Sequence, residues 1–192
     1  MLGAGYGIGL LGLLAAAHAR GDTTEIRRAT RMALWLSTIH AVVIMPGLWY
    51  SKPILLALGQ EDIVAQLSQD YLRIAGWGAG LTLWAMVLNS YLASMERTQV
   101  VLWITLCGLP LNILLNWALI FGHLGAPELG VRGAAIASVF TQAVTLAAII
   151  AYALWLPQTR PIALFQRFWR ADWPAFRAIF WLGLPVGLTL VA

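Results

Sequence analysis

The sequence predicts an all-α protein, a polytopic bundle of transmembrane helices. Two observations predict it. Sixty per cent of the 192 residues are hydrophobic and ten per cent charged, with a mean hydropathy of +0.78, whereas soluble domains carry about 25% charged residues. The apolar residues also fall into five runs of bilayer-crossing length, separated by short polar links.

The first run, residues 1–17, is Gly-rich (Gly3, Gly5, Gly7, Gly9, Gly12), and small residues on a membrane helix favour close helix packing. Ala17-His18-Ala19 mimics a small-residue cleavage site, but nothing basic precedes Arg20. A span therefore fits better than a signal peptide. The second run, 32–51, has Pro46 near its end and Trp49-Tyr50 at an expected interface. The third, 71–95, starts beside Asp70 and Arg73 and ends at the Glu96-Arg97 turn. The fourth, 100–121, contains Pro110, which cannot donate to the carbonyl of Leu106 and so predicts a bend. The fifth is 133–156. Together these make residues 1–156 one bundle. Residues 157–177 follow as a link in which Arg160, Arg167, Arg170 and Arg177 alternate with Phe165, Phe168, Trp169 and Trp173. That pattern reads as an amphipathic helix on the inner leaflet or as an unstructured linker. A last apolar run occupies 178–192.

Basic residues orient the bundle. Arg20, Arg27, Arg28, Arg31, Arg97, Arg160, Arg167, Arg170 and Arg177 fall in alternate links on one side, and Lys52 and Arg132 are the bases of the links on the other, with Arg73 at the start of the third span. An excess of Lys and Arg marks the cytoplasm, so the chain starts outside. The net charge of +4 is thereby explained by anionic lipid, with no nucleic-acid motif among the bases. Cys107 is the sole cysteine, which excludes an intrachain disulfide or CxxC site and reads as a small packing residue.

Catalytic signatures are missing. There is no GxSxG, HExxH, P-loop or acidic diphosphate motif, and all eight acids sit in links or at span ends. The chain is not expected to be an enzyme or to hold a metal or organic cofactor. Chemistry must come from neutral polar groups. Asn112 and Asn116 are four residues apart, about 40° around a helix, so both carboxamides leave one face of an uncharged segment. Hydrocarbon offers an amide no partner, so that face must turn to another helix, to water or to an ion. The pair serves either as cation or substrate ligands or as an inter-helix tie. Ser138 on the next helix either joins them or bonds its own backbone. His40, mid-span, is a packed imidazole or a proton-linked group. Asn89, Ser90 and Ser94 suit inter-helix contacts.

The run Asn112-x-x-x-Asn116-x-x-Leu119-Ile120-Phe121-Gly122-x-x-Gly125-x-Pro127-x-Leu129-Gly130-Val131-x-Gly133-Ala134-Ala135-x-Ala137-Ser138 resembles the helix five to helix six stretch of the multidrug and toxic compound extrusion (MATE) family, NorM-like branch. The segments Ala16–Arg28, Ile54–Gln60, Asp70-Tyr71-Leu72-Arg73-Ile74 and Leu182-Gly183-Leu184-Pro185 fit the same family in order. The resemblance implies part of the N-terminal six-helix bundle of a twelve-helix transporter, from the end of helix two into helix seven. Residues 178–192 would then start the second bundle. It implies efflux of cationic amphipathic drugs by antiport with Na⁺ or H⁺ as coupling ion, in a bacterial inner membrane. Its partners would be those drugs, the coupling cation, the lipid bilayer and the remaining half of the transporter. By the same resemblance Asn112, Asn116 and Ser138 fall on cation-binding positions of helices five and six. Ser138 stands where Thr is commoner, and Asn116 where some relatives carry an acid. A lipid-linked flippase of related fold and a non-transporting truncated fragment are the alternatives. The first prefers a cationic cavity, whereas Arg and Lys here avoid the spans.

Overall fold

A computed structural model describes residues 2–155 and 172–189, with side chains described over 9–155 and 172–181. Within these residues every element is helical: α1 (Leu2–Ala19), α2 (Thr23–Trp49), α3 (Ser51–Ala57), α4 (Asp62–Ser94), α5 (Thr98–Phe121), α6 (Val131–Trp155) and α7 (Trp173–Thr189). Four of them, α2, α4, α5 and α6, are long and apolar enough to cross a membrane. The aromatic-basic link 157–177 lies mostly outside the described residues, apart from Asp172 and the first turn of α7.

The helices outrun the apolar spans. Helix α2 starts nine residues before Met32, and the 33-residue α4 starts nine before Tyr71. At 1.5 Å per residue α4 is about 50 Å long, against about 30 Å of hydrocarbon. Hydropathy reports where water ends, not where backbone hydrogen bonding ends. The polar links around Arg27 and Gln66 are therefore largely helix. What remains is tight turns. Gly21 takes φ +69°, and the Asp22 carboxylate caps α2 by accepting from Thr24 N at 3.1 Å and Glu25 N at 2.9 Å.

Helix α4 is the axis of the bundle and packs on α1, α2, α3 and α6, while α7 lies on α1 and α2. The buried core gathers where the basic links are: Leu10 and Leu14 of α1, Ile26, Met32 and Leu34 of α2, Leu88, Tyr91 and Leu92 of α4, Ile149 of α6 and Ile179 of α7. The opposite half is held by polar contacts. Arg132 pairs with Asp70 at 3.0 Å and Lys52 with Asp62 at 2.9 Å. Gln69 and Arg73 both donate to the carbonyl of Trp49, at 3.0 and 3.1 Å. Ser90 and Ser94 bond carbonyls of their own helix, at Met86 and Tyr91.

Among the described residues helix α5 lies at the edge of the bundle. Its main neighbour is α6, and Ala118 is its only buried residue. Among the described residues Cys107 is exposed on α5, where a packing role was expected of it. The helix is continuous through Pro110.

Candidate functional site

The α5–α6 pair is antiparallel, and glycine fixes its spacing. A Cβ on Gly133 would lie 2.4 Å from the carbonyl oxygen of Leu119, so the two backbones touch there. Deeper along the pair, Gly108 faces Thr141 and Thr145, and a Cβ on it would meet Thr145 Oγ1 at 3.3 Å. The connecting loop is folded back firmly. Gly122 ends α5 in the left-handed region at φ +72°. Leu129 N donates to Leu119 O at 3.0 Å, and the His123 ring stacks on Trp117 at 4.3 Å.

Between these contacts lie the two carboxamides. Ile113 and Trp117 are 68% and 45% exposed on the outer side of α5, whereas Asn112 and Asn116 are half-buried and turned to α6. Asn116 Nδ2 donates to Asn112 Oδ1 at 2.9 Å, and Asn112 Nδ2 donates to Thr141 Oγ1 at 3.2 Å. Thr141 in turn donates to the carbonyl of Ala137, one turn back, at 2.8 Å. The result is a chain of three hydrogen bonds running from α5 into the backbone of α6. No acid enters it: Asp70, at the rim, is engaged by Arg132. The arrangement can present amide and hydroxyl oxygens to a small cation but cannot neutralise it.

The MatE family model matches residues 1–118 of this chain. A probable multidrug resistance protein NorM of Rhizobium meliloti (strain 1021) is 41% identical over all 192 residues. The chain belongs to the MATE family. A second probable NorM, of Agrobacterium fabrum, is 34% identical, again over the whole chain. The chain spans 41% of the length of each of these curated relatives. Among solved structures, one described as the inward-facing conformation of a multidrug resistance MATE family transporter superposes with a TM-score of 0.85. That match is 24% identical and covers 98% of this chain and 42% of the other, and it shows a shared fold. MATE proteins are transporters, so this is a multi-pass membrane chain of a transporter family and not an enzyme.

Of the residues that sequence singles out in this MATE chain, Asn112 and Asn116 meet directly. Ser138 is half-buried on α6. With Gly133 beside Leu119 and Thr141 beside Asn112, Ser138 lies at the depth between the two asparagines. His40 does not join them. It is half-buried on α2, whose neighbours are α1, α4 and α7. Thr141 is the residue that sequence reasoning missed. Its signal was a second hydroxyl one turn after Ser138 on the same face. Cavities of about 370 and 560 Å³ lie at the basic-link end, beside Arg28 and Arg97 respectively, and the carboxamides line neither.

Proposed function

We propose that this chain works within a longer polypeptide, of the length of its relatives, as a secondary active transporter that expels cationic amphipathic compounds in exchange for Na⁺ or H⁺. The relatives named for multidrug resistance support the efflux half of this reading. The observation that carries the coupling half is the Asn112–Asn116 pair, facing α6 from an uncharged helix. Asn112 and Asn116 supply carbonyl oxygens and Ser138 a hydroxyl to the cation. The compensating negative charge comes from outside this stretch, since a cation leaving water needs one. Pro110 leaves the Leu106 carbonyl without its helical donor and is the bend point of α5 as the bundles rock. The membrane is the bacterial inner membrane, with the substrate cavity between this bundle and the rest of the transporter.

The test is dye efflux from a pump-deficient host expressing the complete reading frame, with and without Na⁺ and across pH. Asn112→Ala and Asn116→Ala should blunt the cation dependence of efflux, while His40→Ala leaves it intact. If His40→Ala matches the asparagine variants, or none has an effect, the α5–α6 site is not where the ion couples.

A further inference from the structure

The hydrogen-bond chain has a direction, and one hydroxyl sets it. Thr141 has a single proton, and it is committed to the Ala137 carbonyl at 2.8 Å. Towards Asn112 the hydroxyl can therefore only accept. The group that Asn112 brings within 3.2 Å of it must be the NH₂ end of its carboxamide. Asn112 Oδ1 is then directed to Asn116, and it accepts from Asn116 Nδ2 at 2.9 Å. By the same count Asn116 Oδ1 is the oxygen left over at the α5 end. The two amides are thus joined head to tail, each donating through its nitrogen along the chain that ends on Thr141. Were Thr141 to turn its proton to Asn112 Oδ1 instead, every member would reverse, and an NH₂ group would stand where Asn116 Oδ1 stands now. One polarity attracts a cation, and the other repels it.

We infer that Thr141 is a positioning residue for the cation site, holding the Asn112–Asn116 carboxamides in the oxygen-outward polarity that a monovalent cation requires. This rests on the cation-site reading of Asn112 and Asn116 proposed above. Thr141 does not ligate the ion. It acts through Asn112, and the ion is met first by Asn116 Oδ1, in series with a dipole that reinforces it. Gly108 belongs to the same device, since its missing side chain lets α5 approach Thr141 and Thr145.

The experiment is equilibrium Na⁺ binding by calorimetry on the detergent-solubilised product of the complete reading frame, with a thermal melt of each variant. Thr141→Val removes the hydroxyl and keeps the shape, and Thr141→Ala takes its place should the Val variant not fold. The loss of one oriented hydrogen bond predicts Na⁺ affinity about three- to tenfold weaker, with the melt in the absence of Na⁺ little changed. Thr141→Ser keeps the proton and should restore wild-type affinity. If Thr141→Val and Thr141→Ala bind Na⁺ like wild type while Asn112→Ala and Asn116→Ala do not, the positioning role is overturned and the cation site stands. Thr141→Ser as weak as Thr141→Val also overturns it, because packing and not the proton would be responsible. If wild type binds no Na⁺, or Asn112→Ala and Asn116→Ala bind it unchanged, the cation-site reading itself fails, and the inference with it.

Discussion

Replacing Gly133 by alanine tests whether the α5–α6 contact sets the geometry of the carboxamide pair. The new Cβ would stand 2.4 Å from Leu119 O, 2.7 Å from Leu119 C and 3.1 Å from Ile120 N. Ordinary contact begins about 1 Å further out. All three atoms are backbone, so no side-chain rotation relieves the clash, and α6 must move away from α5 by roughly that distance. Overpacking of this kind costs about 1–3 kcal/mol, and an immovable obstacle places Gly133→Ala near the upper end. The displacement should reach the site. The Asn112–Thr141 bond, at 3.2 Å, is already at the long end of the N–H···O range. It lies eight residues along α6, about 12 Å from Gly133. A thermal melt in detergent, paired with Na⁺ titration, should thus show lower stability together with weaker Na⁺ binding. A melt equal to wild type would refute the close-contact argument. Lower stability with unaltered Na⁺ binding would refute the link from Gly133 to the asparagines.

Gly78→Ala makes a useful contrast. Its Cβ would overlap Gln142 Oε1, but that atom ends a flexible side chain that can swing aside, so the melt should fall by less than for Gly133→Ala. At the basic-link end, Asp172 accepts from Arg28 Nε and also from the α7 amide of Ala175 at 3.3 Å, which ties the start of α7 to α2. The hydrogen bond from Arg28 holds the Asp172 carboxyl below its usual range. Its stabilising contribution is therefore complete above about pH 4 and lost as pH falls through the lowered pKa. Spin-label distances between α2 and α7 should stay constant from about pH 5 to 8 and lengthen in stronger acid, whereas Arg28→Gln should lengthen them at every pH. Asn116→Asp adds the charge that the site lacks. Its melt should be lower than wild type without Na⁺ and should gain more from added Na⁺, because an uncompensated buried carboxylate is costly and a paired one much less so.

Composition and periodicity were enough for the membrane class, because a bilayer imposes run lengths that no soluble core requires. They were also enough for the shared face of Asn112 and Asn116, which follows from helical pitch alone. Helix ends were less legible. The Thr23 and Asp62 starts lie in water, where charged residues suit helix and link equally. The partner of Asn112 was not legible either. Ser138, Thr141 and Thr145 all lie on one face of α6, and pitch cannot say which of them reaches α5. That choice is made by vertical register, which Gly133 on Leu119 and the folded 122–130 loop establish far from the site. The Cys107 reading failed for a related reason. A small residue in an apolar run packs only if a neighbour covers its side of the helix, and among the described residues Cys107 stays exposed.

The packing of α5 on α6 bears on how the proposed site works. Most of the packing that holds this bundle runs through α4, and α5 reaches the rest of it chiefly through α6. The carboxamide–hydroxyl chain lies between the close approaches at Gly133 and Gly108. The polar chain is the contact between α5 and α6 that a bound ion would replace. On the cation-site reading proposed above, a cation that takes the oxygen of Asn116 and then competes for that of Asn112 exchanges the inter-asparagine bond for ion coordination. The tie from α5 to α6 changes with it. Ion occupancy and helix position would then be coupled through the same atoms, which is the physical requirement for the antiport proposed above.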